Sequence, residues 1–432
     1  MPDPSPDNPA PDLPATSFPK GRIRVVLLEG VHPRGVELFE RETFQVESVP
    51  RALEGEERHA AIADAHVVGL RSKTQLRAPA LEAAQRLLAV GCFCIGTNQV
   101  DLDSARSMGV PVFNSPFSNT RSVAELVIAE VVALHRQLFD RSAAMHAGRW
   151  DKTAAGAHEV RGRTLGIVGY GHIGSQVSVL AEAMGMRVVY YDLIPKLPLG
   201  NAVPMDSLEE VLREADTVTL HVPATAQTRS LIGADEIAQM KPGAYLINNA
   251  RGGVVDLNAL AAALDSGQLG GAALDVFPDE PAGTGDPFES PVRHRPNVIL
   301  TPHIGGSTAE AQAGIAADVA SKLIRFMNDG STTGAVNAPN VELPSQAKVT
   351  AVGSDAKAHR PHRLLHFHRN VPGVLSKMHA AISEAGANVA GEYLRTDEAI
   401  GYVVLDVDPI DATDIAARLR AIPETIRVRT LW

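Results

Sequence analysis

Cysteine is nearly absent: Cys92 and Cys94 are the only two in 432 residues, too few for a disulfide framework. No further Cys or His lies beside them at metal-ligand spacing, so no metal site is expected. They alternate within the apolar run 87–95, which reads as two small side chains on one strand face, and free thiols suit a reducing cytoplasm. A basic surplus is also missing. Lys and Arg number 40 against 50 Asp and Glu, and the formal charge of −10 argues against nucleic acid or an anionic membrane as partner. No apolar stretch approaches the roughly 20 residues that span a bilayer. The first twenty residues hold seven prolines but neither the basic start nor the apolar core of a signal peptide. Residues 1–21 are expected to be a disordered, proline-rich tail.

What is present is enough apolar material, 45% of the chain, for two or three domains. From Arg22 short Val/Ile/Leu runs (Arg24–Leu28, Val67–Leu70, Leu87–Ile95, Val110–Phe113) alternate with polar helical stretches. This βαβα rhythm predicts a parallel sheet with helices on both faces. The apolar spacing Val123, Leu126, Val127, Val131, Leu134, Leu138 predicts one long helix over 122–147. A second series then sets six strands, Thr164–Val168, Arg187–Tyr191, Thr217–His221, Ala244–Asn248, Gly271–Val276 and Val298–Leu300, which describe a complete doubly wound domain. A helix is expected over 308–327. Residues 338–360 read as a linker of small and polar residues. Beyond it, 361–432 changes to βαββαβ, a ferredoxin-like unit with no catalytic constellation and so a regulatory or assembly module.

Gly169-Tyr170-Gly171-His172-Ile173-Gly174 follows the strand 164–168 and opens a helix. In that setting the glycines permit a tight turn and close approach to a pyrophosphate, while the helix start offers free N–H groups. Asp192 ends the next strand, where a carboxylate would accept the ribose hydroxyls and repel a 2′-phosphate, which favours NAD over NADP. Arg251, Glu280 and His303 each follow a strand of the same sheet. Carboxyl ends of parallel strands share one edge, so the three can converge. Oxidising a secondary alcohol needs a base that works near pH 7, a carboxylate to orient it, and a cation to grip a substrate carboxylate. Histidine, glutamate and arginine supply these.

With those stretches, together with Gly69–Ser72, Cys92–Gln99, Ser118–Glu125 and Thr301–Ser307, the chain from Arg22 on resembles the D-isomer-specific 2-hydroxyacid dehydrogenases. It is most similar to their bacterial members that act on D-3-phosphoglycerate and end in an ACT domain. The resemblance implies a flavodoxin-like substrate-binding domain from 22–118 and 306–337, a Rossmann NAD domain over 119–305 inserted in it, an active site in the cleft between, and a homotetramer. It assigns substrate binding to Arg251, acid–base work to His303 and its support to Glu280. NAD would be lined by Gly169, Gly171, His172, Ile173, Gly174, Asp192, Asn249, Ala250, Arg251, Asp275, His303, Ile304, Gly305 and Gly306. Arg71, Ser72 and Lys73, with Asn119, would meet the substrate, and Lys152 would add charge. His368, Asn370 and Asn388 match positions where such ACT domains bind serine between two subunits.

The resulting expectation is NAD-dependent oxidation of 3-phospho-D-glycerate to 3-phosphohydroxypyruvate, the entry to serine synthesis, under serine feedback in the cytoplasm. A dehydrogenase for another 2-hydroxy acid, such as 2-hydroxyglutarate or glyoxylate, is the nearest rival, and the Arg71 cluster and terminal module disfavour it. A non-enzymatic NAD-sensing corepressor would share the fold, but the Arg251, Glu280 and His303 set and the acidic charge speak against it.

Overall fold

The Val/Ile/Leu runs become strands buried on both faces, as a parallel sheet between helices requires. In the computed structural model, which describes residues 19–281, 285–343, 362–408 and 412–431, these strands form two parallel sheets and a smaller antiparallel one. The first sheet holds β1 (Arg24–Leu27), β2 (Gln45–Ser48), β3 (Val67–Leu70), β4 (Ala89–Cys92) and β5 (Val112–Asn114). Their order, β2-β1-β3-β4-β5, is the flavodoxin-like winding. The second holds β6 (Thr164–Val168), β7 (Arg187–Tyr191), β8 (Val203–Pro204), β9 (Thr217–Leu220), β10 (Ala244–Asn248), β11 (Leu269–Leu274) and β12 (Val298–Leu300). Its order, β12-β11-β10-β9-β6-β7-β8, is the Rossmann winding with one strand added. The third, β13 (His362–Arg369), β14 (Val389–Thr396), β15 (Ile400–Val407) and β16 (Thr425–Leu431), runs β14-β15-β13-β16 with antiparallel pairings. It is the expected ferredoxin-like unit.

Several sequence expectations change. β2 and β8 escape periodicity because both are outer strands with exposed faces. The long helix divides into Thr120–Arg136 and Leu138–His146, because Gln137 takes a left-handed conformation at φ 50° between them. The expected tail ends before 21, since Lys20–Arg22 form a 3-10 turn and Lys20 pairs with Glu42; residues 1–18 lie outside the described residues. Likewise the expected linker begins with packed chain: Val341 and Leu343 are buried, and Thr332 bonds Pro339 and Val341. Residues 344–361 lie outside the described residues.

The chain divides into two compact units, Phe117–Gln312 and the remainder. In the second of these the helix Ala309–Asp329, from Ala313 on, lays Val319 and Leu323 over β4, where Gly91 leaves them room. The antiparallel module is seated on the same core: Leu365, Phe367, Tyr402 and Leu431 pack with Phe113, Phe326 and Met327. Polar groups seal this seam. Tyr402 Oη donates to the Gly330 carbonyl at 2.6 Å, and Arg429 donates to the Met327 carbonyl at 2.8 Å. Arg427 donates to the Leu87 carbonyl. Arg363, with 2% of its side chain exposed, makes two 2.8 Å bonds to Asp406 and a third to the Asp329 carbonyl.

The buried pair yields a prediction. Asp406→Ala strands the Arg363 guanidinium without its carboxylate, a loss that costs about 3–5 kcal/mol. Denaturant unfolding should report a drop of that size in the unit containing the module; an unchanged midpoint would show that Arg363 finds water.

Candidate active site

β6 is followed by Gly169, whose φ of 93° and close approach to the His221 carbonyl (2.6 Å from where a Cβ would stand) exclude any side chain. Gly174 is equally constrained, since a Cβ there would meet the Gly169 carbonyl at 2.2 Å. Gly171 faces open space and starts the helix His172–Ala183 with no side-chain cap, so its first amides are free to meet an anion. Asp192, at the end of β7, accepts from Tyr170 N at 2.8 Å and Ile194 N at 3.0 Å, which ties its carboxylate to this turn. His172 lies against the Phe117 ring, 3.9 Å between centroids. The open cradle at Gly171 and the carboxylate beside it fit a dinucleotide, and Asn119, against Gly306, keeps a buried, unpartnered Oδ1.

Three loops at the carboxyl edge of the same sheet carry Arg251, Glu280 and His303. After β10, Asn248 clamps the loop by accepting from Ala250 N (3.1 Å) and donating to the Arg251 carbonyl (3.0 Å). The Arg251 guanidinium folds back on the Ala250 carbonyl at 2.7 Å. Gly252 touches the loop after β11 so closely that a Cβ would stand 1.9 Å from the Phe277 carbonyl carbon. That second loop brings Glu280, whose Oε1 accepts from Phe277 N at 3.2 Å. Past β12, His303 Nδ1 lies 2.8 Å from Glu280 Oε2. A carboxylate only accepts, so Nδ1 carries the hydrogen and Nε2 is left as the basic nitrogen. His303 holds a φ of 56° and is half-exposed.

Asp275 organises the third loop. It is buried, and its carboxylate accepts from Thr301 Oγ1 (2.6 Å), Ile304 N (2.7 Å) and Gly305 N (2.7 Å). Gly306 passes close to Asn119, and Gly305 packs on Val123 and Leu126 of the helix Thr120–Arg136. The same helix reaches Asn249 through Glu130, bonded at 2.8 Å.

Arg251, Glu280 and His303 are thus gathered on one edge with the glycine turn, Asp275 and Asn249. Lys152 is not. It lies in an exposed segment that returns through His158, bonded to the His135 carbonyl, to the start of β6 at the opposite edge of the sheet. In the other unit Arg71, Ser72 and Lys73 form the turn after β3. The amides of Lys73 and Thr74, which could have met a phosphate, are held instead by the Glu29 carboxylate at 3.0 and 2.7 Å. Gln99 donates to the Arg71 carbonyl at 2.7 Å and to Cys94 Sγ, so Cys94, which packs against the apolar core holding Cys92 as expected, also meets polar groups on its other side. Glu29, Gln99, Gly252 and Glu130 were not picked out from the sequence. Glu130 alone left a signal, a carboxylate three residues from Val127 on an apolar helix face.

In the antiparallel module, a cavity at the first strand-to-helix turn is lined by His368, Asn370, Val371, Gly373, Ser376 and Thr396. His368 is buried, which pushes its pKa down, and its Nδ1 has no partner. Asn370 donates to the Asp397 carbonyl at 2.7 Å. Asn388 begins β14 and therefore lies at the opposite end of this sheet, bonded to Asp408. Among the described residues no group of three His, Cys, Asp or Glu side chains is placed to hold a metal, and no helix is long and apolar enough to cross a membrane.

The Gly252 contact can be tested directly. Gly252→Ala must push the Arg251 and Glu280 loops apart, and a misplacement near 1 Å costs on the order of a hundred-fold. A fall of that size in kcat/KM, with NAD still bound, is the expected result; full turnover would mean the two loops need not touch.

Residues 128–305 match the family of the D-isomer specific 2-hydroxyacid dehydrogenase, NAD binding domain, and residues 364–427 match the AHAS small subunit-like ACT domain. A D-3-phosphoglycerate dehydrogenase of Haemophilus influenzae is 51% identical over 96% of this chain and 99% of its own. Another, D-3-phosphoglycerate dehydrogenase 1 of Saccharomyces cerevisiae, is 46% identical over 96% of this chain and 89% of its own. Among solved structures, a D-lactate dehydrogenase of Aquifex aeolicus complexed with NAD and lactic acid has a TM-score of 0.64 at 26% identity. It covers 73% of this chain and 100% of its own. The cofactor is NAD, and the chain belongs to the D-3-phosphoglycerate dehydrogenases within the D-isomer-specific 2-hydroxyacid dehydrogenase family.

Proposed function

We propose that this chain oxidises 3-phospho-D-glycerate to 3-phosphohydroxypyruvate, the first step of L-serine biosynthesis, and that serine acts on its terminal module. The observation that carries the reading is the His303–Glu280 pair, 2.8 Å apart on the sheet edge that also holds the glycine turn. NAD, when bound there, supplies the hydride acceptor. His303 Nε2 takes the hydroxyl proton while Nδ1–H stays on Glu280, which stabilises the imidazolium formed. Arg251, released from the Ala250 carbonyl, grips the substrate carboxylate and draws charge onto the new carbonyl. Arg71, with Ser72 and Lys73, takes the phosphate; with Glu29 on the neighbouring amides, side chains must do most of this. Asp192 sets the preference for NAD.

Serine needs donors for its carboxylate and acceptors for its ammonium, and the His368–Asn370 cavity offers both. Asn388 joins it only from a second copy. β14 is an outer strand, and antiparallel pairing of two modules along it would bring the Thr396 end of one beside the Asn388 end of the other. The helix Leu138–His146 has no buried residue and exposes Leu138, Phe139 and Met145, with Trp150 beyond, an apolar surface suited to subunit contact. These two surfaces support a homotetramer.

A substrate panel read by NADH absorbance tests the reaction. Phosphoglycerate should be the preferred substrate, and Arg71→Gln should weaken it by about 1.5–3 kcal/mol, roughly ten- to a hundred-fold in KM. Short unphosphorylated hydroxy acids should change little; equal losses for both would remove Arg71 from the phosphate site. Asn370→Ala should weaken serine binding in calorimetry about ten-fold or more with turnover retained, and no serine binding by the wild type would refute the effector assignment.

A further inference from the structure

Along the buried side of the helix Thr120–Arg136 one position is acidic. Glu130 is 2% exposed, and its Oε2 accepts from Asn249 Nδ2 at 2.8 Å. Its other oxygen, Oε1, and the Asn249 Oδ1 are both buried, and neither meets a donor. Two acceptors left this way are costly. A carboxylate cannot relieve them, whereas a carboxylic acid brings the one hydrogen that is missing.

The surroundings favour the acid. On its own helix Arg121 pairs with Glu125 on the exposed side, Arg136 is exposed, and His135 bonds Thr217 with its pKa lowered by burial to about 4. The facing helix His172–Ala183 brings His172, tilted against Phe117, and Glu182, bonded to Asn201. β10 contributes Tyr245 against His135. Past β12 His303 is engaged with Glu280, and the next helix offers Asp140, bonded to Asn297, and Arg141, paired with Asp151. Asp275, past β11, is the charged group that acts on Glu130, and it is negative. Burial, against the Asn249 bond and with help from Asp275, pushes the Glu130 carboxyl up to about 8.

We propose that Glu130 is a positioning residue that works as a neutral acid, its proton closing an acid–amide pair with Asn249 and so setting the Asn249–Arg251 loop for the reaction. The inference rests on Arg251 binding the substrate, as proposed above. Loss of the proton leaves both oxygens buried without a donor, within reach of the negative charge of the carboxylate that holds the His303 loop. Because the fold raises this group's pKa, it favours the protonated form. Its contribution is complete below the ordinary value of 4.5 and is lost as pH climbs through about 8.

The test compares full-length wild type with Glu130→Gln and Glu130→Ala in kcat and KM from about pH 6 to about pH 9.5, together with infrared spectra. Glutamine supplies an N–H where the acid supplies O–H. It should keep turnover at neutral pH within about three-fold and lack the wild-type fall in kcat above pH 8, whereas alanine should lose about ten-fold or more at every pH. The wild-type spectrum should show the carbonyl band of a protonated buried carboxyl that fades through pH 8 and is absent from the glutamine variant. A glutamine variant with the wild-type alkaline fall, or a wild type without that band, overturns the proposal. The band is read without substrate or variant turnover, so its absence is distinct from a failure of the assigned activity or of a variant to fold.

Discussion

Asp275 holds three donors from the loop that follows β12, and the placement of His303 depends on them. A charge-assisted bond in a buried setting is worth about 1.5–3 kcal/mol, while a non-glycine residue at positive φ costs about 1–3 kcal/mol. The loop can therefore hold His303 at φ 56° because Thr301, Ile304 and Gly305 are pinned on either side of it. Once that ring is placed, Glu280 finds its Nδ1, and the Glu280 loop in turn is held by contact with Gly252. The three loops form a chain of constraints that begins at one buried carboxylate. The sheet supplies the common edge, but the edge alone would leave the loops free.

Much of this was legible in the residues themselves. Inner parallel strands such as Val67–Leu70, Thr164–Val168 and Ala244–Asn248 are continuous apolar runs, because both faces are covered, and they fall where the runs are. The glycine turn and the Arg251, Glu280 and His303 set were legible because strand ends in a parallel sheet must share an edge. What escaped was whatever depends on a pairing across the chain. The break at Gln137 is a backbone conformation with no local marker. Glu29 reaching the Lys73 and Thr74 amides, Gly252 meeting Phe277, and Glu130 meeting Asn249 link residues between 25 and 119 positions apart. Asn388 was grouped with His368 and Asn370, from which the folded chain separates it by the length of a sheet.

The seam under the antiparallel module follows a different rule. Arg363 is answered by a carboxylate, but Arg429 and Arg427 are answered by backbone carbonyls and, for Arg429, by the sulfur of Met327 and the face of Phe326. Burial lowers the pKa of Arg429 to about 10, which still leaves it charged at neutral pH. Carbonyls cannot repel or rearrange as freely as side chains, so the module is located against main chain rather than against other rotamers. Whatever binds in the His368–Asn370 cavity therefore acts on an element whose seat is stiff.

That shared core also orders events during synthesis. β4 and β5 are completed by chain that comes much later: Gly91 is covered by Val319 and Leu323, Val112 bonds the Asn337 side chain, and Glu42 bonds Asn328. Until that later chain is made, residues 24–114 thus carry an apolar sheet face with nothing to cover it. The nucleotide-binding unit, contiguous in sequence, can close while that face waits. Chains that rely on such distant closures are slow to finish and expose sticky surface meanwhile. The elongating protein is in this sense most vulnerable while β1–β5 stand alone, and it is segments made some two hundred residues later that protect them.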